Sequence, residues 1–187
     1  MPLSTLDPKS ALVVIDLQKG ITAMPTVHPP AGVIANASRL AKAFRARELP
    51  VVLVNVAGVA PGRSEAPRPN VPRTADWAEI VPELDAQPSD LRVTKHQWGA
   101  FYGTPLDMHL RRRGVTQIVL CGISTSIGVE STARDAFERG YNLAFVTDAM
   151  TDLFADAHER ALQRIFPRLG ETGTTEDVLA QLARLPA

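Results

Sequence analysis

The chain has 187 residues, with 20 basic and 20 acidic side chains and a formal net charge of zero, so nothing in the composition indicates the basic face that nucleic-acid binding requires. Hydrophobic residues make up 45% and charged residues 21%, as in soluble globular proteins. No apolar run approaches the roughly 20 residues of a membrane span. The length predicts one domain over residues 1–187.

The N-terminal stretch and the cysteine content indicate a reducing compartment. "MPLSTLDPKS" lacks the basic region followed by an apolar region that marks a signal peptide. The chain has one cysteine, which leaves no partner for an internal disulfide. We therefore expect a cytoplasmic protein. The zero net charge also removes a barrier to self-association.

Four short apolar runs, and a fifth weaker one, predict β-strands. The four are residues 11–15 "ALVVI", 50–56 "PVVLVNV", 117–120 "QIVL" and 142–146 "NLAFV", and the weaker run is 90–94 "DLRVT". Runs of this kind, β-branched or continuously apolar, are typical of strands that are buried on both faces of a parallel sheet.

Apolar residues recur at helical spacing in three stretches around these runs. They are Ile34, Ala37, Leu40, Ala41 and Phe44; Val129, Thr132, Ala133, Ala136 and Phe137; and Leu162, Ile165, Phe166 and Leu169. A last helix is predicted to begin near Thr174, with Asp177 as an imperfect capping box, and to bury Val178, Leu179 and Leu182. Strands that alternate with helices predict an α/β fold with a mostly parallel sheet covered on both faces.

Residues 57–77, "AGVAPGRSEAPRPNVPRTADW", break this alternation. The stretch is rich in proline, glycine and arginine, and it predicts a long loop. A loop of this length in a compact domain is usually functional or mobile.

Chemically useful residues follow three of the predicted strands. Asp16 follows the first, Lys95 follows the weak one, and "CGISTSIGVEST" at residues 121–132 follows "TQIVL". A strand-end aspartate is commonly a turn residue, and a lone lysine is commonly a surface residue. Ligands of parallel sheets bind beyond the carboxyl ends of the strands, so the joint placement of these residues favours a binding site there.

Four segments together carry a family resemblance. "VVIDLQ", "KHQWGAF", "GISTSIGVESTARDA" and "GYNLAFVTDAM", in this order, resemble the isochorismatase-like cysteine hydrolase superfamily over nearly the whole chain. The resemblance implies a three-layer α/β/α sandwich with a mainly parallel sheet. It also implies a small-molecule substrate, no cofactor, and a homo-oligomer of two or more subunits.

The resemblance implies two catalytic residues, whereas the third residue of the family's triad is missing from this chain. Most members of the superfamily use an Asp-Lys-Cys triad, whose aspartate matches Asp16 and whose lysine matches Lys95. The cysteine position is occupied by Gly128, so the nucleophile is missing. The true isochorismatases are similar here, with an Ile-Gly pair like Ile127-Gly128. They hydrolyse a vinyl ether and release pyruvate.

That similarity leads to a mechanistic hypothesis. Protonated Asp16 would give its proton to the enolpyruvyl methylene carbon, and water would then attack the oxocarbenium ion. This requires a raised pKa of Asp16, which burial can supply, whereas the charge of Lys95 acts in the opposite direction.

The resemblance further suggests substrate-binding residues, which are Gln18, Trp98, Phe101, Ser124 and Thr125. A dicarboxylate substrate would need cationic anchors, for which the long loop offers Arg63, Arg68 and Arg73. Ser124-Thr125-Ser126 stands where the compared isochorismatases carry Tyr-Ala-His, so the substrate identity stays open.

Three other interpretations remain. A serine hydrolase would use Ser124 or Ser126 with Asp148 and His158, but the Gly-x-Ser-x-Gly elbow is absent. A metal enzyme is not expected, because "NVAGVAPGR" lacks the histidine that the superfamily's nicotinamidases carry there. The third is a catalytically inactive member that acts as a small-molecule binding or interaction protein. Cys121, at a buried strand end, is expected to be a packing residue.

Overall fold

The structure is a computed structural model that describes residues 3–65 and 74–186. Within these residues the chain forms six strands, β1 Ser10–Ile15, β2 Val51–Val56, β3 Leu91–Lys95, β4 Gln117–Ile123, β5 Asn142–Thr151 and β6 Glu171–Gly173. The helices are α1 Lys19–Thr22, α2 Pro30–Ala46, α3 Leu106–Arg112, α4 Glu130–Glu138, α5 Ala155–Arg160, α6 Phe166–Leu169 and α7 Thr175–Arg184. Short π-helical turns at Thr125–Val129 and Ala161–Ile165 lead into α4 and α6.

The six strands form one sheet in the order β3-β2-β1-β4-β5-β6. Every pairing is parallel, which confirms the predicted α/β fold. Chain order reverses at β1, because β2 lies on one side of it and β4 on the other. This is the switch point at which ligands of such sheets bind.

The alternation of side chains along β1 separates two apolar cores. One core contains Leu12 and Val14 together with Leu40 and Phe44 of α2 and Val178 of α7. The other contains Ala11, Val13 and Ile15 together with Leu106 of α3, Ala133 of α4 and Phe166 of α6. Because β1 is buried on both faces, its sequence is continuously apolar. The result is a three-layer sandwich.

The predicted strands are all present, with two extensions and one addition. β4 continues to Ile123 and β5 to Thr151, beyond their predicted ends. β6, Glu171–Gly173, was not predicted because it is short and lacks the apolar residues that reveal a strand. α3 was not predicted either.

The helix predictions are confirmed with one error. The predicted capping box of α7 is present, since Thr174 Oγ1 accepts from Asp177 N and the Asp177 carboxylate accepts from Thr174 N. Phe137 was predicted to face the core through α4, but its side chain is 49% exposed. Among the described residues, the helices are too short or too polar to cross a membrane.

Gly122 is required where β4 pairs with Ile15 of β1. Its φ is +123°, and a Cβ atom there would lie 2.0 Å from the carbonyl oxygen of Ile15. Both the backbone conformation and the space therefore demand glycine.

We expect Gly122→Ala to lower the free energy of unfolding by about 3 kcal/mol or more, because it adds strain at a positive φ to a clash with backbone. Gly32→Ala is the matched control, since a Cβ at Gly32 meets nothing within 4 Å. That control should be neutral or stabilising by up to about 1 kcal/mol. Urea unfolding measures both variants, and equal stability of the two would contradict this account.

Candidate active site

Asp16 and Lys95 form a buried ion pair at the carboxyl edge of the sheet. Asp16 directly follows β1, and Lys95 ends β3. Lys95 reaches across the end of β2, so that its Nζ lies 2.7 Å from Asp16 Oδ2. Asp16 is 5% exposed and Lys95 is 2% exposed.

The backbone places the Asp16 side chain in a turn that few residue types tolerate. Its φ is +52°, a left-handed conformation in which aspartate and asparagine are enriched. Its amide donates to Val54 O at 2.9 Å, and its carbonyl accepts from Gln18 N at 2.8 Å. These bonds fix the carboxyl group above the switch point between β1 and β4.

Among the described residues, one oxygen of the Asp16 carboxyl group has no hydrogen-bond partner. Lys95 Nζ also donates to Trp98 O at 2.8 Å and to Gln97 O at 3.2 Å, so each of its three hydrogens has an acceptor. Asp16 Oδ1 is buried and has no hydrogen-bond partner among the described residues. Since buried polar atoms are usually paired, Oδ1 is an acceptor that the described residues leave unsatisfied.

Burial dominates the ionisation of Asp16. Removal from water raises the pKa of Asp16 to about 6, although the charge and hydrogen bond of Lys95 lower it in part. The sequence alone did not decide between burial, which raises the pKa of Asp16, and the charge of Lys95, which lowers it. In the structure the effect of burial is the larger.

Gly128 lies directly against this pair. It belongs to the π-helical turn Thr125–Val129, which follows β4. A Cβ at Gly128 would lie 3.2 Å from Asp16 Oδ2 and 3.0 Å from Ile15 Cγ2. The position that the resemblance gives to a nucleophile is thus adjacent to the acid, and glycine leaves that space open.

Buried polar groups hold the turn in place. Ser126 N donates to Asp152 Oδ2 at 2.6 Å. Thr125 Oγ1 donates to Thr151 O at 3.0 Å and lies 2.8 Å from Nδ1 of His158. Because a hydroxyl has one hydrogen to donate, Nδ1 of His158 must be the donor in the second contact.

A cavity of about 410 Å³ opens beside the pair. Its polar lining consists of Asp16, Lys95, Gln97 and Ser124. Its apolar lining includes Ile21, Met24, Trp77, Trp98, Ile127 and Leu153. A mostly apolar pocket with a few convergent polar groups is typical of small-molecule sites.

The structure places the predicted substrate-binding residues in two groups. Trp98 and Ser124 line the cavity. Gln18, Phe101 and Thr125 lie outside that lining, and for them a role in substrate binding stays a prediction.

Each of these three side chains makes its contacts outside the cavity. Gln18 is bonded to the backbone of Val56 and to Trp77 O. Phe101 is buried in the core that contains α3 and α4. Thr125 bonds Thr151 O and Nδ1 of His158, as described above.

The loop arginines give no anchor within the described residues. Arg63 is exposed and is not part of the cavity lining. Arg68 and Arg73 lie outside the described residues.

Several lining residues were not predicted. Ile21, Met24, Ile127 and Leu153 have no polar signature, and only their position after strand ends could have indicated them. Trp77 lies at the end of the long loop, in which only the arginines were predicted to bind a substrate.

The geometry also disfavours two other nucleophiles. Burial, together with the charge of Asp148, raises the pKa of the Cys121 thiol to about 12, so a thiolate is not available. The serine-hydrolase arrangement does not form, because Asp148 accepts from Thr175 and His158 bonds Thr125.

In the described part of the chain, no three His, Cys, Asp or Glu side chains are grouped to hold a metal.

Comparison with known proteins decides the family. A model described as the isochorismatase domain matches residues 10–177. The chain belongs to the isochorismatase family. It is 48% identical over 181 residues to the uncharacterized isochorismatase family protein YwoC of Bacillus subtilis (strain 168), covering 93% of this chain and 94% of that protein.

A solved structure and a more distant enzyme extend the family match. The structure of an isochorismatase family protein from Burkholderia thailandensis has a TM-score of 0.92 at 48% identity, covering 96% of this chain and 98% of that one. The ureidoacrylate amidohydrolase RutB of Variovorax paradoxus (strain S110) is 28% identical over 213 residues, covering 97% of this chain and 84% of that one. The family thus includes hydrolases.

We expect the Asp16 carboxyl to titrate near pH 6, because its burial outweighs the attraction of Lys95. Lys95→Met should raise the pKa of Asp16 further, since it removes the cation while keeping most of the side chain's length. Carbon-13 NMR of the carboxyl resonances measures both values, with Asp16→Asn for assignment. Titration near pH 4 in the wild type would contradict the burial argument.

Proposed function

We propose that the protein is a hydrolase of a small metabolite that uses Asp16 as an acid, without a covalent intermediate, to cleave a vinyl ether and release pyruvate. One observation carries this proposal. A carboxyl group with a raised pKa and an unpartnered oxygen lies against Gly128, where the family's triad would place its thiol.

The proposed reaction consumes one water. Protonated Asp16 gives its proton to the terminal methylene carbon, and the electrons of the C=C bond form the new C–H bond. Water adds to the resulting oxocarbenium ion and loses a proton to solvent. The hemiketal then collapses: its hydroxyl group loses a proton to form the ketone of pyruvate, the C–O bond to the leaving group breaks, and the departing oxygen takes up a proton to become the alcohol. Asp16 regains its proton from solvent.

Lys95 assists by stabilising the acid's conjugate base. Its Nζ already donates to Asp16 Oδ2 at 2.7 Å, so the carboxylate formed by proton transfer meets a cation that needs no rearrangement. Such preorganisation lowers the barrier because little reorientation is needed during the reaction.

Covalent amide hydrolysis is disfavoured for the same site. RutB is named an amidohydrolase, and amidases that resemble this chain depend on the triad cysteine. Gly128 has no side chain to attack a carbonyl carbon, and the thiol of Cys121 is buried and protonated. Acid catalysis by Asp16 needs neither a side chain at position 128 nor a thiolate.

The size of the cavity supports a small-molecule substrate. We also propose a cytoplasmic homo-oligomer. The zero net charge removes a barrier to self-association.

Pyruvate release from isochorismate, coupled to lactate dehydrogenase, tests the proposal. We expect Asp16→Asn to lower turnover by about 10²- to 10⁴-fold, the usual contribution of a general acid. Asparagine keeps the shape of the side chain and tolerates the left-handed backbone. Asp85→Asn is the matched control, because Asp85 is an exposed aspartate that also has a positive φ, of 46°.

Activity that is lost in Asp16→Asn and kept in Asp85→Asn would support Asp16 as the acid. Full activity in Asp16→Asn would refute that role. If the folded wild type releases no pyruvate, the vinyl-ether assignment fails for this substrate, and an inactive binding protein becomes the better account.

A further inference from the structure

Gly128 is carried by a π-helical turn that is held from outside. In the turn Thr125–Val129, Val129 N donates to Ser124 O at 3.1 Å, five residues back in the chain. Such π-helical turns are rare, and they occur mostly at functional sites. Ser124 and Gly128 both line the cavity, so the position of this turn sets one wall of the site beside Asp16.

Asp152 connects this turn to the segment that follows β5. Its Oδ2 accepts from Ser126 N at 2.6 Å. Its Oδ1 accepts from Leu153 N at 2.7 Å and from Phe154 N at 3.4 Å, an Asx-type turn that leads into α5. Leu153 also lines the cavity. One carboxylate therefore ties two parts of the cavity wall to each other.

The connection through Asp152 lies in the protein interior, since its side chain is 0% exposed. A carboxylate is costly to bury unless its oxygens are hydrogen-bonded. All three of its donors are backbone N–H groups at the beginning of helical segments, where an acidic side chain is favourable. Because movement of the turn away from Asp152 would leave a buried oxygen unpaired, these bonds hold the turn firmly.

We propose that Asp152 is a positioning residue of the candidate active site, whose carboxylate holds the turn with Gly128 beside Asp16 and closes the cavity wall there. The inference rests on the proposed function, because a fixed wall matters for turnover where Asp16 must meet a substrate. Asp152 itself is not part of the cavity lining, and it acts through Ser126 and Leu153. A displacement of about 1 Å in a site can lower turnover by about 100-fold.

Asp152→Asn removes one half of the connection and keeps the other. Asparagine has a single acceptor oxygen and forms Asx-turns as aspartate does, so this oxygen can still accept from Leu153 N. The NH₂ group then faces Ser126 N, donor against donor, and the turn is released. We expect kcat for pyruvate release from isochorismate to fall about 10- to 100-fold.

Asp156→Asn is the matched control for this variant. Asp156 is exposed and lies in the first turn of α5, so the substitution removes the same charge near the same helix without touching the turn that carries Gly128. Its kcat should equal that of the wild type.

The pKa of Asp16 separates positioning from a loss of stability. Burial raises this pKa to about 6, and release of the turn should let water reach the carboxyl group. We therefore expect Asp152→Asn to lower the pKa of Asp16 towards its ordinary value of about 4, measured by carbon-13 NMR, whereas Asp156→Asn should not change it. Partial unfolding alone weakens the signals of the folded protein without moving the pKa that they report.

Either an unchanged kcat or an unchanged pKa of Asp16 in Asp152→Asn would overturn the positioning role. If the wild type releases no pyruvate, the proposed function fails, and the pKa of Asp16 alone then decides the inference in the same way. If Asp152→Asn does not fold, hydrogen exchange of the wild type replaces it. The Ser126 amide should exchange at least about 100-fold more slowly than in an unfolded chain, and faster exchange would overturn the connection through Asp152.

Discussion

The ion pair between Asp16 and Lys95 constrains the whole carboxyl edge of the sheet. Two opposite charges are buried there at a separation of 2.7 Å, and removing either one typically costs about 3–5 kcal/mol because the other is left unpaired. A well-packed apolar pair could stabilise the fold equally well. The presence of these charges at a switch point, beside a cavity, is what the proposed acid catalysis requires.

The structure makes this pair an acid that can still ionise. Burial alone would drive the carboxyl towards permanent protonation, and Lys95 alone would keep it ionised. Their balance gives Asp16 a pKa of about 6, near the pH at which proton transfer in either direction is useful. With Gly128 beside the acid, the site offers room for a reacting molecule in place of a nucleophile.

Sequence patterns were sufficient where a single physical rule decides the outcome. Continuously apolar runs predicted strands buried on both faces, and the meeting of Asp16 with Lys95 follows from parallel strands ending at one edge. The Thr174–Asp177 capping box is local and could also be predicted.

Side-chain roles that depend on distant contacts could not be predicted. Gln18 and Phe101 belong to motifs near the site, yet one bonds backbone and the other fills a core. Phe137 fits a helical stripe, but the neighbouring elements leave it exposed. Trp77 lines the cavity, and its indole packs on Gly20, 57 positions away in sequence, where a Cβ would lie 2.0 Å from Cδ1 of Trp77.

The pH dependence of kcat/KM for vinyl-ether hydrolysis tests the central claim most directly, because it distinguishes Asp16 as an acid from Asp16 as a base. If the protonated acid is the active form, kcat/KM is constant well below pH 6 and falls about tenfold per pH unit above it. A rate that instead rises through pH 6 would mean that the carboxylate is the active form, and this would contradict acid catalysis by Asp16.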